Sequence, residues 1–175
     1  TIAIDETTNQ LTAPNGSIGY RWGEKGKWNL KQTAKKEDVN LQLSMVEKHD
    51  EVVDVAFPYF GGIKHEHFKS VEISDTLTHK LGSRKIELAD GKEALVVTVY
   101  DLMIANYGIS RGLGEDDGAT DYDQIKPYTP AWQEKITGVP AHKVTRIARE
   151  FAETAHKTNG RSMIIVGAGM NHWYH

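Results

Sequence analysis

An amphipathic stretch that leads directly into a short apolar run constrains the fold of this chain most strongly. From Pro140 onward, apolar residues recur at spacings of three and four until Asn159 and Gly160 end the pattern. Residues 162–166 follow at once, and their apolar, β-branched composition is typical of a strand buried on both faces of a sheet. A helix that feeds such a strand is half of a crossover unit, so we predict an α/β fold with a parallel sheet. The helix should pack on that sheet through Ile147 and Phe151.

Other elements carry clear local signals. Alternating side chains around the turn pair Asp90 and Gly91 predict a β-hairpin over residues 84–99. Thr129 is a good N-cap residue, so a short helix is predicted from there to Gly138. Further predictions are a strand over residues 51–60 that ends at Pro58, a helix over residues 100–107, a long loop over residues 110–126, and an aromatic-rich loop over residues 16–30.

The residues after the apolar run carry the candidate site. Gly167 and Gly169 leave room for a ligand to approach the backbone at the predicted carboxyl end of the strand. Asn171, His172 and His175 then supply amide and imidazole groups within a few residues. A tight turn with aromatic residues packed behind it would explain the same spacing. The glycine pair lacks the third glycine of the dinucleotide fingerprint, so a nicotinamide site is not supported.

Two other clusters could hold metal ions. His65 and His67 would share one face of a strand, and the fold could bring them to His172 and His175, although exposed loop histidines are the simpler interpretation. The acidic residues between positions 115 and 123 could suit calcium. They lack the spacing of an EF-hand loop, so a solvated loop is the better interpretation.

Charge and cysteine content exclude several classes of function. A net charge of −3 and a pI near 6.2 give no reason to expect nucleic acid as a partner. Because there is no cysteine, these 175 residues hold no disulfide, thiolate metal site or iron–sulfur ligand. No apolar run approaches the roughly 20 residues that cross a bilayer. The chain starts at Thr1 and stops just after the candidate loop, so we expect an internal piece of a longer protein.

Several stretches resemble one enzyme family. Residues 128–140, which run Tyr-Thr-Pro-Ala-Trp-Gln-Glu-Lys-Ile-Thr-Gly-Val-Pro, and the continuation to residue 152 resemble the molybdopterin-dependent oxidoreductases related to dimethyl sulfoxide reductase. Residues 16–30, 53–61, 89–112 and 160–175 are similar to the catalytic alpha subunits of membrane-bound respiratory nitrate reductases. The resemblance covers most of the chain and is weakest over residues 31–50 and 62–83.

The resemblance implies a fragment of a multidomain molybdenum enzyme with a Rossmann-like parallel sheet, a β-hairpin and long loops. Residues 1–83 would be a loop-rich segment, and residues 84–175 an α/β cofactor-binding segment that continues beyond the last residue. Molybdenum held by two molybdopterin guanine dinucleotides would reduce nitrate to nitrite, with electrons from quinol passing through iron–sulfur clusters. One [4Fe-4S] cluster would belong to the full subunit, outside this chain. An iron–sulfur beta subunit and a membrane haem gamma subunit would be partners at the cytoplasmic side of the cell membrane.

The same resemblance implies roles for the candidate loop. Residues 164–171 correspond to a segment that lines the pterin dinucleotide, and the position of His172 lies near the metal. We therefore expect cofactor contacts from Gly167, Gly169, Asn171, His172 and His175, with His172 as the candidate catalytic residue. The molybdenum ligand would lie outside the chain. A non-catalytic α/β module that binds a nucleotide or a partner through this loop is the alternative.

Overall fold

The computed structural model describes residues 2–14, 32–34, 37–59, 75–158 and 160–168. The chain divides into two compact units, one formed by residues 1–41 with 145–175 and the other by residues 42–144. The segment boundary predicted between residues 83 and 84 falls inside a strand of the second unit. The aromatic-rich loop predicted over residues 16–30 lies outside the described residues.

The first unit contains two short antiparallel strand pairs. Strand β1, Ala3–Asp5, pairs with β2, Gln10–Thr12, and β3, Gln32–Ala34, pairs with β4, Glu37–Val39. The turn between β1 and β2 is held by the buried carboxylate of Asp5, which accepts hydrogen bonds from the Thr8 hydroxyl at 2.9 Å and the Asn40 amide at 3.1 Å. A short polar turn can therefore remain ordered with little apolar packing beneath it.

The second unit is built on a three-stranded antiparallel sheet in the order β5-β6-β7. The strands are β5, Glu51–Tyr59, β6, Asp75–Glu87, and β7, Glu93–Val96. The register places Val55 opposite His79 and Val53 opposite Leu81, so one face of the sheet is mainly apolar, and Leu81 is fully buried. The predicted hairpin is confirmed, with Gly91 at a φ of 78° in its turn.

Pro58 does not end its strand as predicted. The strand continues to Tyr59, with Pro58 opposite Thr76. Among the described strands, β5 pairs only with β6 and is an edge strand, where a residue without an N–H group is tolerated.

Helix α1, Val99–Asn106, and helix α2, Pro130–Thr137, follow the predicted boundaries closely. The hydroxyl of Thr129 accepts a hydrogen bond from the Trp132 amide at 3.1 Å, and Gly138 closes α2 with a φ of 71°. Helix α3, Ala141–Lys157, also ends where predicted. It buries no residue, and Ile147 and Phe151 are 56% and 39% exposed, so the predicted packing through these two side chains is wrong in this chain.

The predicted Rossmann-like parallel sheet is wrong for the described part of the chain, although helices and strands are both present as expected of an α/β protein. Among the described residues all three sheets are antiparallel, and the parallel pairing seen there is a single bridge between Ile109 and Ala119. Residues 162–166 form no strand, and Met163 to Val166 are 55% to 80% exposed. A β-branched run becomes a buried parallel strand only when neighbouring strands cover its edges, and no described strand does so.

Candidate functional site

Of the predicted cofactor-binding residues, the structure describes only Gly167. Gly167 lies in exposed, irregular chain after residues 162–166, and a Cβ added to it would meet no atom of the described residues within 4 Å. Gly169, Asn171, His172 and His175 lie outside the described residues, as do His65 and His67. The predicted loop therefore stays a prediction. A concave site formed by described residues lies elsewhere, in the second unit.

This site is a pocket of about 630 Å³ between the end of α1 and the start of α2, which we call the tyrosine pocket. Its wall is mainly aromatic and apolar. The residues that define it are Tyr107, Ile109, Asp121, Tyr122, Tyr128 and Pro130. Its volume lies within the range of small-molecule sites in proteins, roughly 300 to 1,000 Å³.

Close backbone approach builds the first wall of the pocket. Gly108 ends α1 with a φ of 76°, and a Cβ there would lie 2.6 Å from the carbonyl oxygen of Pro127. The Ser110 amide donates to the Ala119 carbonyl at 3.0 Å, and the Ala119 amide donates to the Gly108 carbonyl at 2.7 Å. The segment after α1 is thereby fastened to the long loop that leads to α2.

The second wall depends on a residue in an unusual conformation. Tyr128 has a φ of 71°, in the left-handed region that favours glycine, and its ring packs edge to face on Trp132 at 5.6 Å. The next residue, Thr129, is buried, and its hydroxyl lies 2.6 Å from the Gln124 carbonyl to which it donates. The cap of α2 thus holds the strained tyrosine at the pocket wall.

A buried polar network anchors α1 in the same unit. Asp101 is fully buried, and its carboxylate accepts hydrogen bonds from the Met45 amide at 2.7 Å and from the Ser44 and Thr98 hydroxyls at 2.8 and 2.9 Å. Arg111 adds an ion pair at 3.0 Å, and its guanidinium lies over the Tyr100 ring. This network was not predicted from sequence. The sequence signal that could have indicated it is Thr98, a threonine three residues before the acidic Asp101 at the start of a helix.

A second buried group was also missed. His79 is 1% exposed, and neither ring nitrogen has a hydrogen-bond partner among the described residues. Its Nδ1 lies 4.0 Å from Oδ2 of Asp116, whose side chain is 2% exposed. Burial lowers the pKa of His79, against the opposing effect of Asp116 and Asp117. The sequence signal that could have indicated a buried histidine is the alternating pattern of β6, which places His79 on the same face of the strand as Leu81.

The acidic loop covers a strand edge. The Asp117 carboxylate accepts from the Thr78 amide at 2.6 Å, and the Asp117 amide donates to the Thr78 carbonyl at 3.0 Å. Asp116 accepts from the Lys80 amide at 3.3 Å. These bonds occupy backbone groups of β6 that an exposed edge would leave unpaired. Within the described ranges no group of three or more histidine, aspartate or glutamate side chains could hold a metal ion, so calcium binding finds no support there.

The chain is similar over its whole length to known oxidoreductases. It is 59% identical over 177 residues to "Respiratory nitrate reductase 1 alpha chain" and 57% identical over 175 residues to "Respiratory nitrate reductase 2 alpha chain", both of Escherichia coli (strain K12). Each comparison covers 100% of this chain and 14% of the relative. "Nitrate reductase alpha chain" of Bacillus subtilis (strain 168) is 43% identical over 172 residues, which cover 97% of this chain and 13% of the relative.

None of the known family models matches the chain. Sequence identity at this level over the whole chain shows that this chain belongs to the nitrate reductase class of oxidoreductases. It belongs to the family of nitrate reductase alpha chains, which are molybdopterin oxidoreductases, and it spans about 14% of the length of those relatives. No helix in the described part of the chain is long and apolar enough to cross a membrane.

Proposed function

We propose that these residues form part of a catalytic alpha subunit that reduces nitrate to nitrite. The observation that carries the proposal is the 59% identity to the Escherichia coli alpha chain across the whole of this chain. The reduction would take place at molybdenum held by two molybdopterin guanine dinucleotides, and the electrons would come from quinol through iron–sulfur clusters. When bound, that cofactor supplies the oxygen-atom transfer chemistry, and the protein binds and orients it.

The described residues do not by themselves form a site for this cofactor. Residues 163–168 are exposed, and among the described residues no segment encloses them and no cluster of donor groups is suited to a metal ion. We therefore assign no step of the reaction to the described residues. Their proposed role is that of scaffold beside the cofactor.

The candidate loop stays part of the proposal. Gly167 has no positive φ, and a Cβ there would meet nothing within 4 Å among the described residues, so neither backbone strain nor packing within the described part of the chain explains a glycine at that position. Close approach of a ligand would explain it. On the basis of the family resemblance we also propose cofactor contacts from Gly169, Asn171, His172 and His175.

The proposed assembly follows from the names of the relatives, which are alpha chains. We propose an iron–sulfur beta subunit and a membrane haem gamma subunit as partners, with the assembly on the cytoplasmic side of the membrane. The 175-residue chain alone is expected to show no nitrate reduction, because the metal ligand and much of the cofactor site would lie outside it.

A segment exchange tests the proposal. Residues 1–175 would replace the matching segment of the Escherichia coli alpha chain, expressed with its natural partner subunits. We expect the exchanged subunit to load molybdenum and pterin and to reduce nitrate with a dithionite-reduced dye. Both cofactor content and turnover would be measured on the purified complex.

The matching segment of the Bacillus subtilis alpha chain, which is 43% identical to this chain, provides a control exchange. If the Bacillus segment supports cofactor loading and turnover while this chain supports neither, the proposal is wrong.

A further inference from the structure

We propose that the tyrosine pocket binds an organic cation of the quaternary ammonium class, whose positive charge is covered by methyl groups. The inference does not depend on the proposed nitrate chemistry, because it rests on the aromatic lining, the charge and the hydrogen bonding of this pocket. The pocket lies within the second unit, and all of its lining residues belong to the described part of the chain.

The aromatic lining favours a positive charge. Tyr107, Tyr122 and Tyr128 line the pocket, and each is between 40% and 61% exposed, so none is sealed in the interior. The face of a phenol ring carries partial negative charge and attracts a cation that lies within about 6 Å of the ring centre. The same kind of contact already exists in this unit, where the Arg111 guanidinium lies 5.6 Å from the centre of the Tyr100 ring.

The charge of the lining points the same way. Asp121 is the one charged side chain among the described lining residues, so the pocket carries a negative charge. The two basic residues in the segment 107–130 make other contacts, since Arg111 pairs with Asp101 at 3.0 Å and Lys126 donates to a backbone carbonyl at 2.7 Å. An anion in the pocket would meet a like charge, whereas a cation would meet a carboxylate that no lining cation neutralises.

The hydrogen bonding of the lining favours a methylated cation over a primary ammonium. The lining carbonyls of Gly108, Ala119 and Tyr122 each already accept a hydrogen bond from a backbone amide, at 2.7, 3.0 and 3.2 Å. A primary ammonium has three N–H donors and is strongly hydrated, so it would lose water here without gaining three acceptors in return. A quaternary ammonium has no N–H group and avoids that cost.

The walls of the pocket are fixed by the fold of the chain itself. Gly108 approaches the Pro127 carbonyl so closely that a Cβ would lie 2.6 Å away, and Tyr128 is held at a φ of 71°. Non-glycine residues in this region persist where the surroundings hold them, and such residues concentrate at ligand sites. The volume of about 630 Å³ leaves room for the body of a ligand beside its methylated head group.

Titration of the 175-residue chain with choline, followed in amide NMR spectra, tests the proposal. We expect shifts at the pocket residues and a dissociation constant in the millimolar range or tighter. Two comparison compounds separate the contributions. The alcohol 3,3-dimethyl-1-butanol has the shape of choline without its charge, and ethanolamine has the charge without the methyl groups. Each should bind about 5-fold more weakly than choline or worse.

Substitutions in the lining test the two sources of attraction. Tyr122→Leu should weaken choline binding about 5-fold or more by removing one ring face, whereas Tyr122→Phe should leave it within about 2-fold. Asp121→Asn should also weaken it about 5-fold, because the substitution removes the charge and keeps an oxygen for the hydrogen bond from the Asp123 amide. Asp90→Asn is the matched control, since it removes an exposed carboxylate of the same unit outside the pocket, and it should leave binding unchanged.

The proposal is overturned if the chain shows no shifts with choline at millimolar concentration, including the case in which the pocket fails to form in solution. Equal binding of choline and 3,3-dimethyl-1-butanol would show that the charge is not recognised. Equal binding of choline and ethanolamine would exclude the quaternary class, and unchanged binding by the Tyr122→Leu variant would exclude the aromatic lining as the site.

Discussion

Asp116 holds a carboxylate oxygen 4.0 Å from Nδ1 of His79, and both side chains are almost completely buried. The separation is too long for a hydrogen bond. The carboxylate oxygens instead accept from the amides of Lys80 and Gly118 at 3.3 and 2.9 Å. The imidazole is thus packed as an apolar ring against Phe57, with which it makes an edge contact at 5.5 Å.

This arrangement predicts a loss of stability in mild acid. Burial lowers the pKa of His79 below its ordinary value of 6.5, so the unfolded chain binds this proton more readily than the folded chain. The free energy of unfolding should fall as the pH drops below about 6.5, with at most about 1.4 kcal/mol per pH unit from this ring. Urea unfolding at a series of pH values between 7.5 and 5 measures the slope.

His79→Phe should remove that part of the slope, because phenylalanine fills a similar volume and does not titrate. His142→Phe is the control, since His142 is exposed on α3 and its substitution should leave the slope unchanged. Equal slopes in the wild-type chain and the His79→Phe variant would show that the His79 ring is not neutral and buried as described.

Asp101→Ala should be strongly destabilising. The substitution leaves the guanidinium of Arg111 without its ion pair and the Met45 amide without its acceptor. Breaking a buried pair of this kind costs about 3–5 kcal/mol. Chemical denaturation of the wild-type chain and of the Asp101→Ala variant measures the difference in the free energy of unfolding.

Asp54→Ala is the matched control for Asp101. Asp54 pairs with Lys80 at 2.8 Å, but its side chain is largely exposed. The loss of such a surface pair is expected to cost less than about 1 kcal/mol. Similar losses for the two variants would contradict the anchoring role of Asp101.

Phe151→Ala should cost little in this chain. Phe151 is 39% exposed, and α3 buries no residue, so about 1 kcal/mol or less is expected against about 2–5 kcal/mol for Leu81→Ala at a fully buried position. In the longer alpha chain the same Phe151→Ala substitution should cost about 3–5 kcal/mol if the apolar face of α3 is covered there. Thermal unfolding of the wild-type and Phe151→Ala proteins, both as this chain and as the longer alpha chain, shows whether the apolar face of α3 is covered in the longer chain.

Local signals predicted the parts of the fold that depend on neighbouring residues. The capped helix that starts at Thr129, the turn at Gly91 and the left-handed Gly138 are each determined within a few positions. The Asp101 network could not be read in this way, because its partner Ser44 lies 57 residues earlier in the chain. The strand predicted over residues 162–166 failed for a related reason, since its apolar pattern requires partner strands that no described segment provides.

The tyrosine pocket was missed because it depends on how the loop folds. Asp121 and Tyr122 fall in the long loop predicted over residues 110–126, and Tyr107 falls at the end of the helix predicted over residues 100–107. The composition of the loop does not distinguish a solvated loop from one closed on itself. The hydrogen bonds that join Ala119 to Gly108 and Ser110 make that distinction. For residues 167–175 the situation is reversed. Their side chains suggest a ligand site in the sequence, but most of them lie outside the described residues.

His172 is the residue on which the proposed nitrate chemistry depends most directly. We expect His172→Ala in the full alpha subunit to lower nitrate turnover by about 100-fold or more, the scale seen on removing one preorganised hydrogen-bond donor. Molybdenum and pterin content should stay near the wild-type level, because one lost side chain leaves the glycine backbone at Gly167 and Gly169 intact. Cofactor content and turnover would be measured on the same preparation.

His156→Ala provides the control for this experiment, since His156 is an exposed histidine near the end of α3. It should change neither cofactor content nor turnover. Full cofactor with near-native turnover in the His172→Ala variant would exclude a catalytic role for His172. Loss of cofactor together with turnover would instead make His172 a binding residue, because the imidazole would then be required for the cofactor to load rather than for the reaction that follows.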